Sequence, residues 1–203
     1  MLEAQTRDRR AERREATRAE ILEAAWELAR TQGLAGVSLR DVARRIGMRP
    51  PSLYWYFESK HAIYDAMFAE GNRQLLERLD AQEWPEEPRA MLRLVARLLV
   101  EFSAEDVARY QLLFQRTIPD FEPSRESYAL AVEVLEEGRA RLAAAGLSDA
   151  ACFDMWTALV AGLAAQQTAN DPGGDRWLRL IDEVVEMYAN HVLGKRTERR
   201  RRP

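Results

Sequence analysis

The chain has 203 residues, 47% hydrophobic and 31% charged, with a formal net charge of −3, which suits one large domain or two small ones around a well-buried core. No apolar run approaches the roughly 20 residues a membrane span needs, and the Arg- and Glu-rich N-terminus lacks the apolar stretch of a secretory signal. A single cysteine, Cys152, excludes an internal disulfide framework and suits a reducing cytoplasm.

Ala, Leu, Glu and Arg dominate, and Gly and Pro number only 10 and 8, so the chain is expected to be all-α. Residues 1–14 are polar and arginine-rich and are expected to form a flexible arm. A first helix follows to about Thr31, with Ile21, Leu22, Ala25, Trp26, Leu28 and Ala29 as its apolar stripe and Gly33 as its stop. Leu39, Val42, Ala43 and Ile46 then fall at i, i+3, i+4 and i+7, one apolar face of a short helix. Ser38 is its N-cap, with Asp41 as capping partner, and Gly47 stands where the chain must turn sharply. Pro50 and Pro51 are tolerated only in a first turn. Leu53 and Phe57, four apart, anchor the next helix inward and leave Ser52, Tyr54, Trp55 and Tyr56 on or near the outer face. Two short helices around a tight turn, the second presenting aromatic and hydroxyl groups outward, form a helix-turn-helix, whose second helix enters a DNA major groove. Lys60 opens the next helix, where a helix N-terminus already attracts phosphate.

That helix runs to about Gln82, and Trp84-Pro85-Glu86-Glu87-Pro88 breaks it. Helices are then expected over Arg89–Phe102, Glu105–Thr117, from Ser124 to about Ala145, from Ser148 or Asp149 to about Asn170, and from Asp175 to about Leu193, about nine in all. Asp171-Pro172-Gly173-Gly174 is a turn. Three stretches follow: a head, 1–60; a body, 61–194; and a basic tail, 195–203, expected to be disordered. Their charges differ. Residues 1–60 carry 12 Lys and Arg against 9 Asp and Glu, 61–194 carry 12 against 23, and the tail carries six against one. A positive head on an acidic body meets a polyanion in one orientation.

The last two long helices are unusually apolar. Phe153, Trp156, Val160 and Leu163 line one side of the first; Trp177, Leu180, Ile181, Val184, Val185, Met187 and Tyr188 cover a wide face of the second. Such a stripe must be buried, either in the chain's own core or against a second copy across a two-fold axis. The second is favoured, because helix-turn-helix modules work as dimers on two-fold sites. No constellation for catalysis appears. There is no Gly-rich phosphate loop, the histidines are only His61 and His191, and the adjacent carboxylates Glu86-Glu87 and Glu136-Glu137 diverge on a helix. No metal, cofactor or enzymatic activity is expected.

The block from Gly33 to Phe68, and above all Leu53-Tyr54-x-Tyr56-Phe57-x-Ser59-Lys60, resembles the DNA-binding domain of the TetR family of bacterial transcriptional regulators. The resemblance is close over residues 15–70 and beyond them extends only to the layout of a helical ligand and dimerisation domain. It implies that Ser38 and Arg40 face phosphates, that Arg49, Pro50, Ser52, Tyr54, Trp55 and Tyr56 face the groove, and that Lys60 holds a phosphate. It also implies a small-molecule pocket in the body, with Met67, Phe68, Leu99, Phe102, Tyr110, Phe114, Met155, Trp156 and Gln166 as candidate lining. The expected partners are a palindromic double-stranded operator, a largely apolar effector and a second copy, with no membrane. The reading is a cytoplasmic dimeric repressor released by its ligand; the alternative is a ligand-independent DNA-binding or scaffold protein with a solid core. A polar residue stranded on a buried face would favour the pocket, and Gln166-Gln167 is the pair to watch.

Overall fold

A computed structural model describes the backbone of residues 2–201 and the side chains of 9–192. Nine α-helices make up the described chain: α1 (Leu2–Gln32), α2 (Leu39–Arg45), α3 (Pro50–Leu53), α4 (Lys60–Asp80), α5 (Pro88–Glu105), α6 (Val107–Phe114), α7 (Arg125–Ala144), α8 (Ala150–Asn170) and α9 (Ile181–Arg201). Single 3₁₀ turns precede α2 (Leu34–Gly36) and α9 (Leu178–Leu180).

α1 starts at Leu2 rather than near Arg14, and α9 continues to Arg201, into the segment expected to be disordered. Arg dominates both stretches, with Ala and Glu beside it in the first, and these residues lose little side-chain freedom in a helix. Arg202 and Pro203 lie outside the described residues.

The helices divide into two compact units that are discontinuous in sequence. Residues 1–73 and 108–130 form the first; 74–107 and 131–203 form the second.

In the first unit α1 packs on the 3₁₀ turn and on α2, and α2 on α3. Its core includes Ile21, Ala25 and Trp26 of α1, Val42 and Ala43 of α2, Leu53, Phe57, and Ile63 and Tyr64 of α4, all buried. Polar bonds set the helices against one another. Trp26 Nε1 donates to Glu70 Oε2 at 3.0 Å, joining α1 to α4. The buried Tyr64 hydroxyl donates to the carbonyl of Leu34. Asp65 collects three donors from the far segment: Ser124 N (2.6 Å), Ser124 Oγ (2.9 Å) and Ser127 Oγ (2.8 Å). Gly71 of α4 lies under α6, where a Cβ would come within 3.1 Å of Leu113 Cδ1.

In the second unit α5 packs on both α8 and α9. Glu87 caps α5, accepting from Arg89 N (3.0 Å) and Ala90 N (2.6 Å), and those two bonds hold its carboxyl below the ordinary range. Leu92, Val95 and Phe102 of α5, Trp156, Val160 and Leu163 of α8, and Ile181, Val185, Tyr188 and Val192 of α9 are buried. Arg93 Nη1 bonds Glu186 Oε1 at 2.8 Å along the rim of the α5–α9 seam. Tyr188 packs at a tilt against Trp156, ring centres 5.2 Å apart, and donates to the carbonyl of Cys152 at 2.7 Å; burial first, and the nearby Cys152 second, push its phenol up to about 12.

Candidate nucleic-acid interface

The helix-turn-helix is built by local chemistry. Ser38 Oγ accepts from Asp41 N at 3.1 Å and donates to Asp41 Oδ2 at 2.5 Å, closing the first turn of α2. Gly47 ends α2 at φ 67°, a left-handed conformation that spares only a residue without a Cβ. The Met48 N–H then returns to the Ala43 carbonyl at 2.8 Å. α3 is one turn long, with Pro50 and Pro51 in its first positions, where a missing N–H costs nothing. A further turn follows, with Tyr56 N bonded to Leu53 O (2.9 Å) and Phe57 N to the same carbonyl (3.0 Å). Leu53 and Phe57 are buried, so the residues between them must point away from the core.

They do so fully. Tyr54 is 55% exposed and Trp55 82% exposed. Large aromatic groups held this far into solvent by a rigid turn are unusual for a surface with no partner. Arg40, Arg49 and Pro50 are exposed too, Ser52 and Tyr56 are half-buried, and neither arginine has an ion-pair partner among the described residues. Lys60 Nζ donates to Ala35 O at 2.9 Å and lies 5.2 Å from the Tyr64 ring centre. An ammonium has three hydrogens, so two remain for a phosphate. Ser38 differs: its single hydroxyl hydrogen is committed to Asp41, and an approaching phosphate must displace that bond.

Contacts from α1 were missed in the sequence. Arg18 lies 4.3 Å above the Phe57 ring and donates to the Tyr56 carbonyl at 2.8 Å. Arg14 reaches the Trp55 carbonyl at 3.4 Å. The arginines of α1 therefore hold the C-terminal end of the reading turn. One signal was available, since Arg10, Arg13, Arg14 and Thr17 stand at i, i+3, i+4 and i+7, one face of a helix.

The residues expected to line an effector pocket are distributed as follows. Met67, Phe68 and Tyr110 are buried in the first unit, and Phe114 is half exposed, its ring 5.9 Å from that of Tyr110. In the second unit Phe102 and Trp156 belong to the core and Leu99 is half-buried, whereas Met155 and Gln166 lie on the outward face of α8. Gln167 is the buried one of its pair, and all its polar atoms are satisfied. Nε2 donates to Asp171 O (2.5 Å) and Gly174 O (3.0 Å), and Oε1 accepts from Trp177 N (2.9 Å) and Leu178 N (3.4 Å). It closes a loop and is not stranded.

Of the residues expected at a two-fold seam, Trp156, Val160, Ile181, Val185 and Tyr188 are enclosed by the second unit's own core. Packing of α5 onto α8 and α9 accounts for them. Phe153, Trp177 and Val184 are half-buried. The opposite face is uncovered: Met155, Ala158, Gly162 and Ala169 on α8, Leu180 before α9, and Met187 on α9 are exposed. Among the described residues no helix is long and apolar enough to cross a membrane, and no three His, Cys, Asp or Glu are grouped to hold a metal ion.

Residues 21–67 match the model of the bacterial regulatory proteins of the tetR family. Similar proteins include the tetracycline repressor protein class A from transposon 1721 of Escherichia coli, 35% identical over 68 residues, which are 32% of this chain and 31% of that one. Another is the uncharacterized HTH-type transcriptional regulator YobS of Bacillus subtilis (strain 168), 33% identical over 92 residues, 45% of this chain and 48% of that one. The chain thus spans less than half the length of the curated relatives it matches. Solved structures share the fold over more of the chain. A TetR-family transcriptional regulator from Bordetella parapertussis 12822 is 22% identical, covers 88% of this chain and 96% of its own, and has a TM-score of 0.62. The transcriptional regulator FadR from Bacillus subtilis in complex with stearoyl-CoA is 18% identical, covers 86% and 98%, and has a TM-score of 0.61.

Proposed function

We propose that this chain, which belongs to the tetR family of bacterial regulatory proteins, is a sequence-specific DNA-binding transcriptional regulator that acts as a homodimer and is released from its operator by a small, largely apolar ligand. The observation that carries the DNA-binding part is the reading turn itself. Tyr54 and Trp55 are held in solvent by the buried pair Leu53 and Phe57, and Arg40 at the start of α2 and Arg49 at the start of α3 are exposed. Hydroxyl and aromatic groups reach base edges and sugars, and the cations hold phosphates. On this reading the head, residues 1–60, reads DNA, and the body, 61–194, takes the effector and the twin.

The homodimer reading rests on the uncovered face of α8 and α9. Ala158, Gly162 and Ala169 let a second helix approach closely, and Met155 and Met187 supply apolar cover. Two heads so joined would read half-sites one helical turn apart, about 34–36 Å. The effector reading draws on the regulator of like fold whose structure holds stearoyl-CoA.

The test begins with duplexes enriched from a random library by the wild-type protein. Lys60→Ala should weaken binding to enriched and random duplexes alike and lower the salt slope by about two units, one for each copy in the dimer. Tyr54→Ala should cost mainly the enriched sequence. Equal losses on both kinds of duplex for both variants would sink these roles. Stearoyl-CoA and a panel of apolar small molecules are then titrated into the complex. If every binder found by thermal shift leaves DNA affinity unchanged, the ligand-independent reading replaces the inducible one.

A further inference from the structure

Beside the reading turn lies a basic groove that extends from its aromatic residues onto α1, outside the helix-turn-helix. It has a volume of about 550 Å³, and Arg10, Arg13, Arg14 and Thr17 of α1 form one wall, with Trp55 and Tyr56 opposite. The three arginines are exposed, and among the described residues none has an acidic partner. Glu12 and Glu15 do not neutralise them, because a helical register of 100° per residue turns both away from the face that Arg10, Arg13 and Arg14 share. Three like charges gathered on one face repel one another by i, i+3 and i, i+4 spacing, and no ion pair among the described residues offsets this. Trp55 belongs both to this groove and to the reading face, so whatever lies against the reading turn continues into the groove.

We infer that α1 clamps the sugar–phosphate backbone of the DNA that flanks the base pairs read by α3, with Arg10, Arg13 and Arg14 on successive phosphates and Trp55 packed on the sugars between the two sites. The inference rests on the DNA-binding reading above and extends it to residues that lie outside the helix-turn-helix. The groove offers point charges and a flat apolar ring with no array of directed acceptors. It therefore reads charge and backbone shape and leaves base sequence to the turn. Arg18 takes no part, since its guanidinium is held by the Tyr56 carbonyl at 2.8 Å and the Phe57 ring, whereas Arg14 gives the Trp55 carbonyl one long bond of 3.4 Å and keeps its other donors.

The experiment compares wild type with the triple variant Arg10→Gln, Arg13→Gln, Arg14→Gln on two 40-base-pair duplexes, one enriched by the wild-type protein and one of random sequence. Thermal melting of the variant should match wild type, because the three side chains are exposed. Its slope of log affinity against log salt should fall by about five units, because a dimer carries six such phosphate contacts and each contributes about 0.9. Affinity should fall by the same factor on both duplexes, and the hydroxyl-radical footprint should shorten at its outer edges only. An unchanged slope and footprint would overturn the clamp and leave the DNA-binding reading standing. A loss confined to the enriched duplex would overturn it too, because the arginines would then be reading bases. If wild type enriches no duplex at all, both readings fall.

Discussion

Gln167 gives the sharpest test of how the second unit is held together. Its side chain is 0% exposed, and its amide joins the end of α8 to the turn that leads into α9. Gln167→Met keeps most of the volume and removes every hydrogen bond. Three of the four bonds are between 2.5 and 3.0 Å, and each contributes about 1 kcal/mol net; the fourth, at 3.4 Å, adds little. The carbonyls of Asp171 and Gly174 lie on an outward loop, so water re-satisfies them in part. The Trp177 N–H is half-buried and keeps a penalty of about 1–3 kcal/mol. The sum is a loss of about 2–4 kcal/mol, or about 5–12 °C in melting temperature for a chain of this length. Calorimetry is the assay, with Gln166→Met as the control. That neighbour is exposed, so its substitution should stay within about 0.5 kcal/mol of wild type. Duplex affinity measured well below the transition should be unchanged. A Gln167→Met protein that melts with wild type but loses response to an effector would refute the reasoning and return the residue to a binding role.

The two faces of α9 should separate in the same way. Met187→Asp, at a position 58% exposed, should leave the fold intact and shift light scattering at micromolar concentration toward the 23.3 kDa single chain. Val185→Asp buries an unpaired charge and should cost about 4 kcal/mol or more, unfolding the unit before any question of association arises. A wild-type protein that is already a single chain would remove the homodimer. Tyr188 sets a pH limit. Its ordinary value is 10.0 and its folded value about 12, so the stability it contributes is complete below about pH 10 and is lost as pH rises toward 12. Melting curves from pH 9 to 12 should show that loss in wild type and lack it in Tyr188→Phe.

The readings that held came from residues that act on their immediate neighbours. Ser38, Asp149 and Gly47 cap or end their helices, and each does so through bonds to backbone within five residues. Tyr54 and Trp55 could be placed outside because Leu53 and Phe57 bracket them. Ile181, Val185 and Tyr188 mark the limit. Periodicity told that their face is buried, but not that α5, some ninety residues earlier, is what buries it. Arg14 and Arg18 were passed over for the same reason, since their partners are 41 and 38 residues away. The polar composition of residues 1–14 was taken for an arm, although its arginines and glutamates are good helix formers once joined to a packed helix.

The bond between Asp65 and the serines at the start of α7 has a consequence for how such a protein can be taken apart. The compact unit that carries the reading turn is not a contiguous stretch, and Asp65 and Gly71 receive their partners from residues 113–127. A fragment cut after Arg73 would leave a carboxylate with no donors and a buried glycine stripped of its cover. Grafting the specificity of one relative onto the body of another is therefore a two-piece transplant. A single splice inside α4 would strip those contacts, whereas carrying over 108–130 with residues 1–73 preserves both.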